Sequence, residues 1–212
     1  MPEGNSPQFD ALSVFCKYPE PGKVKTRLGK EIGFDRAAAL YGWLLQQNLS
    51  RLLHPPPPFS LFLFYDPVVP LVAYRRWLGA YSFVPQEGRD LGERMYQAFD
   101  YLFARGFGHV LLVGSDIPRL DQSLIRQAFA LLRHHDVVLG PAEDGGYYLI
   151  GLRPPPLPSL FHEIPWSTST VLEQTLERVR QACLSCRLVE KRRDIDTVDD
   201  LLAFPELQEF WP

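Results

Sequence analysis

Short apolar runs of strand length alternate with longer amphipathic stretches of helical length along the whole chain. The apolar runs predict strands at 11–16, 59–65, 81–85, 109–113, 136–140, 146–152 and 187–189. The stretches between them predict helices over 35–52, 71–78, 91–104, 121–132, 168–182 and 198–204, with Asp35 and Asp121 as candidate N-caps. Strands separated by helices need right-handed crossovers, so the pattern predicts an α/β protein with a mostly parallel sheet.

The strand at 109–113 ends in a single carboxylate. Val110 to Val113 is apolar at every position, which is typical of a strand buried on both faces. Gly114 and Ser115 end the run, Asp116 follows, and Pro118 prevents further strand pairing. Ligands of open α/β sheets bind at the carboxyl ends of the strands. Asp116 is therefore a candidate for a metal or phosphate site rather than a surface acid.

The segment after the first strand, residues 17–33, is basic and is predicted to be a loop. It carries Lys17, Lys23, Lys25 and Arg27, and Gly22 lets the backbone turn. This position is the usual phosphate cradle of nucleotide-binding α/β folds, but neither the G-x-G-x-x-G fingerprint nor a P-loop is present. If phosphates bind here, side-chain charges must do much of what backbone amides do elsewhere, with Lys25 and Arg27 as the best candidates and Lys17 next. The alternative is a solvated basic loop.

Two adjacent carboxylates follow the strand at 136–140. Glu143 and Asp144 precede the Gly145-Gly146 pair, which permits close approach of backbone to a ligand. An Asp-Gly pair between two strands also predicts a plain hairpin. The position after the strand next to Asp116 favours the same sheet edge, so Asp144 is a candidate general base and Glu143 is its reserve.

A second acidic segment lies near the C-terminus. Asp194 and Asp196 alternate, so on extended backbone they point to one side. Asp196 with Thr197 could equally cap the last helix. Mg²⁺ is typically held by one or two carboxylates together with substrate phosphates. Asp116 and Asp196 together would meet that requirement.

The segment 88–95 precedes a helix and carries Gly88 and Asp90. Backbone amides at a helix start can bind an anion or a nucleobase, so both residues are candidate nucleotide contacts. The alternative is an ordinary helix start capped by Asp90. Trp166, in the Ile164-Pro165-Trp166 segment, could line an acceptor pocket or simply fill core.

Composition narrows the class of protein. Of 212 residues 46% are hydrophobic and 22% charged, which argues against disorder, and the net charge of −3 gives no attraction to nucleic acid. No stretch approaches the ~20 apolar residues of a membrane span, and the N-terminus lacks signal-peptide order, so a cytoplasmic location is expected.

We find neither repeat nor linker and predict one domain over 1–212. Cys16, Cys183 and Cys186 are expected to be free thiols, with a zinc or redox pair at 183–186 as the weaker alternative.

Taken in order, the motifs resemble a known family. They are K-x-x-x-x-G-K-x-K-T-R-L at 17–28, G-x-x-L-G-E-R-M at 88–95, G-S-D-I-P at 114–118, G-P-A-E-D-G-G-Y-Y-L-I-G-L at 140–152, P-W-S at 165–167 and D-I-D-T-x-D-D at 194–200. The chain resembles, over residues 10–204, a bacterial family of unknown function that is placed among the nucleotide-diphospho-sugar transferases and often assigned to the glycosyltransferases. Its basic loop is also similar to that of guanylyltransferases that activate phospholactate.

The resemblance implies a fold and a distribution of roles. The fold would be a three-layer αβα sandwich, a Rossmann-like GT-A fold with a mixed, mostly parallel sheet. The nucleotide would lie over the first half and the acceptor over the second. Lys25 and Arg27 match phosphate-binding positions, Asp116 matches the metal position, and Asp196 is the second metal ligand. The chain departs from sugar nucleotidylyltransferases in lacking their glycine-rich first loop.

These observations predict a transferase that depends on Mg²⁺ or Mn²⁺ and uses a nucleotide or nucleotide-sugar donor and a small-molecule acceptor. A glycosyltransferase is the first expectation. A nucleotidyltransferase that joins a nucleoside triphosphate to a small phosphorylated acceptor, with release of pyrophosphate, is the alternative. A non-catalytic nucleotide-binding module is the third. No nucleic acid or membrane partner is expected, and the sequence indicates no oligomeric state.

Overall fold

A central seven-stranded sheet organises the chain in the computed structural model, which describes residues 9–211. The strands are β1 (Phe9–Cys16), β2 (Ser60–Tyr65), β3 (Ser82–Pro85), β4 (Phe107–Gly114), β5 (Val137–Pro141), β6 (Tyr147–Leu152) and β7 (Cys186–Leu188). All seven predicted strands are present, with ends that differ by one or two residues.

The sheet is mixed and mostly parallel, as predicted. Its strand order is β3-β2-β1-β4-β6-β5-β7, and β6 alone among these seven runs antiparallel to its neighbours. The hairpin between β5 and β6 causes this reversal, because it returns the chain between β4 and β5. The carboxyl ends of the other six strands therefore lie at one edge of the sheet.

Helices cover both faces of the sheet and complete the three-layer sandwich. They are α1 (Thr26–Ile32), α2 (Phe34–Leu53), α3 (Leu71–Leu78), α4 (Leu91–Phe103), α5 (Gln122–Leu132), α6 (Val171–Gln181) and α7 (Val198–Leu202), with 3₁₀ turns at Pro158–Leu160 and Pro205–Phe210. Helices α2, α3 and α5 pack with Leu12, Val14 and Leu111 on one face. Helices α4 and α6 pack with Ala11, Val110 and Leu112 on the other. Burial on both faces explains the uninterrupted apolar runs of the central strands.

The basic segment after β1 was predicted to be a loop throughout, and this expectation is wrong for its second half. Helix α1 forms there because Leu28 and Ile32, four residues apart, bury one helical face against Leu40 and Leu44 of α2. Asp35 is not an N-cap, since Gly33 takes that position and Asp35 lies in the first turn. Asp121 does cap α5, and its carboxylate accepts a hydrogen bond from Leu124 N at 3.0 Å.

Within residues 9–211, no helix has both the length and the apolarity needed to cross a membrane. The three cysteines are free, as expected.

Candidate active site

Two carboxylates from distant parts of the chain converge on one buried lysine. Lys25 Nζ lies 2.8 Å from Asp116 Oδ2 and 3.1 Å from Asp196 Oδ1. The Lys25 side chain is 2% exposed, whereas those of Asp116 and Asp196 are 40% and 36% exposed. The ammonium group thus lies beneath two carboxylates that face solvent. The fold brings these three sequence-predicted residues together at the carboxyl edge of the sheet.

Lys25 and Asp116 stabilise each other in the charged form. Burial alone would lower the pKa of Lys25, but Asp116 and Asp196 outweigh it and raise that pKa above its usual value. Burial would raise the pKa of Asp116, and the Lys25 ammonium lowers it instead. Asp194 receives no direct cation: burial and then the negative charge of Asp196 raise its pKa to about 6. The site therefore has an excess of carboxylates near a single buried ammonium.

Helix α2 fixes the two loops that carry this cluster, through two polar side chains within its apolar face. The Tyr41 hydroxyl accepts a hydrogen bond from Lys17 N at 2.8 Å and lies 2.8 Å from Ser115 Oγ. Asn48 Nδ2 donates to Ile117 O at 2.7 Å, and its Oδ1 accepts from Leu120 N at 3.1 Å. Sequence reasoning missed both roles, since Tyr41 fits the apolar helical pattern and Asn48 carries no motif.

A basic cleft opens on one side of the cluster, with a volume of about 600 Å³. We use this name for the cavity whose charged wall residues are Lys17, Lys23, Lys25, Arg27, Asp90, Arg94, Asp116 and Asp196, with Gln86 among its neutral polar residues. Arg27 is 71% exposed, and its Nη1 lies 3.8 Å from Asp196 Oδ2. Its guanidinium group is thus free to reach an incoming anion. The cleft contains all the predicted phosphate-binding cations.

The segment 88–95 forms the opposite wall of the basic cleft. Gly88 has a φ of 134°, and a Cβ there would lie 2.7 Å from Arg94 N, so this turn requires glycine. Asp90 caps α4 by accepting from Glu93 N at 2.9 Å, which confirms the capping interpretation of this residue. Asp90 also lines the cleft, whereas Gly88 is not among its lining residues. Arg94, which sequence reasoning did not single out, adds a cation that contacts Gln86.

A second cavity, the apolar pocket, lies on the other side of Asp116 and has a volume of about 320 Å³. Its lining residues are Phe15, Leu91, Met95, Leu112, Gly114, Asp116, Ile117, Ala142, Asp144, Gly146, Tyr147, Tyr148, Ile150, Trp166, Ser167, Thr168, Val171 and Asp194. It shares Phe15, Leu91, Gly114, Asp116 and Ser167 with the basic cleft, so the two cavities adjoin. Together they form one bipartite site.

The β5–β6 hairpin places Asp144, and not Glu143, in the apolar pocket. Asp144 Oδ1 accepts from Gly146 N at 2.8 Å, which orients the carboxylate at the turn. Glu143 Oε2 instead accepts from Arg193 Nε at 2.7 Å, and Glu143 is absent from the pocket wall. The turn itself requires glycine at 145, where φ is +90° and a Cβ would lie 2.1 Å from Ser169 O. The hairpin interpretation of this segment is confirmed, and the same hairpin presents a carboxylate to the cavity.

Trp166 is held against the start of α4 by close packing. A Cβ on Gly92 would lie 2.6 Å from Trp166 Nε1 and 2.5 Å from Phe161 O. Trp166 packs against the core and also lines the apolar pocket, so core filling is confirmed and its role toward an acceptor stays a prediction.

The C-terminal acidic segment divides its two carboxylates between the cavities. Asp194 lines the apolar pocket, while Asp196 lines the basic cleft. Thr197, and not Asp196, caps α7: its side chain accepts from Asp200 N, and Asp200 in turn accepts from Thr197 N. The capping alternative is therefore confirmed for Thr197 and wrong for Asp196, whose carboxylate instead contacts Lys25 and Arg27.

The pair Asp116 and Asp196 suits a divalent ion in donor chemistry. Carboxylate oxygens are the ligands that Mg²⁺ and Mn²⁺ prefer, and the two side chains already converge on one cation, Lys25 Nζ. Among residues 9–211 no group of three or more acidic, histidine or cysteine side chains forms a ready metal cage. The two carboxylates thus fit an ion that completes its coordination with water and phosphate oxygens.

Comparison with known proteins yields a family and a fold. A structure from Desulfovibrio desulfuricans G20, described only provisionally as a nucleotide-diphospho-sugar transferase, is 40% identical, with a TM-score of 0.85 over 92% of this chain and 85% of that one. Two other structures share the fold: 4-diphosphocytidyl-2C-methyl-D-erythritol synthase from Anaerococcus prevotii DSM 20548 (TM-score 0.59, 10% identity) and CMP:2-keto-3-deoxy-manno-octonic acid synthetase complexed with CTP (TM-score 0.58, 11% identity). Each similarity covers 95% of this chain and 99% of the other.

No curated protein matches the chain in sequence. The model of the family DUF2064, described as an uncharacterized protein conserved in bacteria, matches residues 54–168. With that match and the 40% identical relative, the chain belongs to the DUF2064 family, in agreement with the family resemblance of its motifs.

Proposed function

We propose that this protein is a transferase with a nucleotide-activated donor, and specifically a glycosyltransferase that uses a nucleotide sugar with Mg²⁺ or Mn²⁺. One observation carries the proposal: a cation-lined cleft and a small apolar pocket meet at the Lys25, Asp116 and Asp196 cluster. The relative described provisionally as a nucleotide-diphospho-sugar transferase supports the donor class.

In this proposal the basic cleft binds the diphosphate of the donor. Lys17, Lys23 and Arg27 line it together with Arg94, and a diphosphate brings the negative charge that these side chains complement. Lys25 Nζ lies where the cleft meets the pocket, so it stabilises negative charge that develops on the leaving diphosphate. The nucleoside then extends along the cleft, away from the apolar pocket.

Asp116 and Asp196 are the residues that would hold the divalent ion. When bound, the ion supplies charge neutralisation at the diphosphate. Only two carboxylates converge, and Lys25 already compensates them, so we expect weak metal affinity until donor phosphates are present.

In this proposal Asp144 is the base that acts on the acceptor. Its carboxylate lines the apolar pocket, is oriented by Gly146 N, and can accept the proton of an acceptor hydroxyl. The hydroxyl oxygen forms a bond to the anomeric carbon of the donor sugar. The bond from that carbon to the diphosphate oxygen breaks, and its electron pair leaves with the nucleoside diphosphate. The proton goes to Asp144.

Nucleotidyl transfer is the second candidate, because the same cationic cleft side chains, among them Lys17, Lys23 and Arg27, could bind a triphosphate in place of a diphosphate. In that reaction an acceptor oxygen attacks the α-phosphorus and pyrophosphate leaves. The two reactions differ in their products: a glycosyltransferase consumes a nucleotide sugar and releases a nucleoside diphosphate, whereas a nucleotidyltransferase consumes a triphosphate and releases pyrophosphate.

A thermal-shift screen tests the donor class. Nucleoside triphosphates and nucleotide sugars are added with Mg²⁺, with Mn²⁺ or with neither ion. A ligand at a 100-fold excess over its Kd adds about 2.7 kcal/mol of stability, which for a chain of this length raises Tm by roughly 5–10 °C. Arg27→Met is expected to reduce the shift, while Lys30→Met, an exposed α1 residue outside the cleft, serves as its matched control. The proposal fails if no nucleotide stabilises the wild-type protein with either metal.

A further inference from the structure

The apolar pocket carries charges of only one sign. Asp116, Asp144 and Asp194 line it, and among the described residues 9–211 no lysine, arginine or histidine does so. The basic cleft next to it has five cationic side chains. The single site is thus divided into a half that favours anions and a half that does not.

Cations close to the pocket wall in sequence or contact are already paired. Lys25 Nζ contacts Asp116, which lines both cavities, and Asp196, which lines the basic cleft. Arg193 Nε donates to Glu143 Oε2 at 2.7 Å, behind the hairpin that presents Asp144. Arg192 Nη1 donates to Arg119 O at 2.7 Å. A charged ligand in the pocket would have to break one of these contacts to gain a cation.

The rest of the wall is apolar or neutral. Met95, Leu112, Ile150 and Trp166 supply hydrocarbon and aromatic surface, and Thr168 is among the few neutral polar groups. Transfer of an anion into such a wall removes its hydration without replacing it by a cation. Hydroxyl and amino groups, in contrast, can donate hydrogen bonds to the three carboxylates. A divalent ion at Asp116 and Asp196 would leave Asp144 and Asp194 as the charges that face the ligand.

We propose, resting on the transferase function above, that the apolar pocket selects a small non-anionic acceptor: a neutral or cationic alcohol with an apolar or aromatic face. Acceptors that carry a phosphate or a carboxylate are rejected. The volume of about 320 Å³ lies at the small end of the range for small-molecule sites, which suits a ligand of one or two small rings. This substrate class also disfavours the transfer of a nucleotide to a phosphorylated acceptor.

Matched pairs of compounds test this selectivity, with binding measured by ligand-observed NMR. The pairs are phenyl β-D-glucoside and its 6-phosphate, benzyl alcohol and benzyl phosphate, and tyramine and 4-hydroxyphenylacetate. We expect the neutral or cationic member of each pair to bind at least tenfold more tightly. Trp166→Ala should weaken that binding, and this loss would assign the bound compound to the apolar pocket. The proposal is overturned if the anionic members bind equally or more tightly, or if no non-anionic member shows binding that depends on Trp166.

A charge variant provides a second measurement that does not depend on the tryptophan. Asp194→Asn removes one pocket carboxylate. It should lower severalfold the ratio by which the non-anionic member of each pair binds more tightly than the anionic member. Glu173→Gln removes an exposed carboxylate of α6 outside the pocket and should leave the preference unchanged. An unchanged preference in Asp194→Asn contradicts the electrostatic argument. The nucleotide screen is separate: nucleotide binding with no pocket selectivity refutes only this inference, and absent nucleotide binding refutes only the transferase function.

Discussion

Lys25 determines the charge balance of the site at the residue scale. Its left-handed backbone (φ 45°) sits at the N-cap of α1, and its side chain extends beneath Asp116 and Asp196. Without this ammonium the site would hold Asp116, Asp144, Asp194 and Asp196 with no buried cation. Lys25 therefore has two roles: it lets the carboxylates approach one another, and it lies next to the expected diphosphate.

The substitution Lys25→Met tests both roles. Breaking a fully buried ion pair costs about 3–5 kcal/mol. Both carboxylates are more than a third exposed, so solvent screens them and we expect a loss of about 1–2 kcal/mol in the free energy of unfolding. Urea unfolding measures the stability, and calorimetric titration should show at least tenfold weaker nucleotide binding. Lys30→Met, on the exposed side of α1, should change neither quantity.

The two adjacent carboxylates of the β5–β6 hairpin make a second test. Asp144→Asn removes the proposed proton acceptor of the pocket, and a positioned general base contributes about 10²–10⁴-fold to the rate. Turnover should fall within that range, with little change in donor binding. Glu143→Gln breaks only the contact with Arg193 and should have a much smaller effect on turnover. A larger loss in Glu143→Gln than in Asp144→Asn would assign the base to Glu143 instead.

At the scale of elements, two helices fix the loops of the site. Helix α2 holds the β1 and β4 loops through Tyr41 and Asn48. Helix α4 begins against Trp166, with Gly92 at the contact. The pocket wall is therefore formed by packing between elements that are about 75 residues apart in sequence, and it depends on how closely their backbones approach.

Two helical glycines provide a matched pair for this argument. Gly92→Ala places a methyl group 2.6 Å from Trp166 Nε1, and such overpacking costs about 1–3 kcal/mol. Gly42→Ala, in the middle of α2, meets its neighbours at an ordinary 3.4 Å or more, and should be neutral or stabilising by up to about 1 kcal/mol. Thermal unfolding compares the two variants. Equal stability of the two variants would contradict the close packing of α4 on Trp166.

At the scale of the molecule, the sheet gathers the site at one edge and a continuous core supports it from both faces. Cys16 ends the central strand β1, and burial raises the pKa of its thiol to about 12. Burial also raises the pKa of Cys186 to about 11, whereas Cys183 is exposed. The three thiols therefore lie in three environments: Cys16 in the core, Cys186 at the edge of the sheet and Cys183 at the surface.

Alkylation of Cys16 should require global unfolding of the protein. At pH 8 a thiol with a pKa of about 12 is ionised in only about one molecule in 10⁴, and the thiolate is the reactive form. We expect iodoacetamide to modify Cys183 first in native buffer, and Cys16 only as urea populates the unfolded chain. Peptide mass spectrometry measures the rates. Modification of Cys16 in native buffer as fast as that of Cys183 would show that β1 opens without global unfolding.

The sequence by itself determined the order of strands and helices, because apolar periodicity records which faces are buried. It also indicated which segments hold the candidate site, because the carboxyl ends of parallel strands lie at one edge of the sheet. It also selected Lys25, Asp116, Asp144 and Asp196 for the site. Tertiary structure decided how they are used: that Lys25 bridges two carboxylates, that Asp144 rather than Glu143 enters the pocket, and that Asp194 and Asp196 face different cavities. Helix α1, the roles of Tyr41 and Asn48 and the fit of Gly92 to Trp166 also depend on contacts between distant segments. Local patterns do not encode such contacts, because a side chain's partner is set by the packing of whole elements.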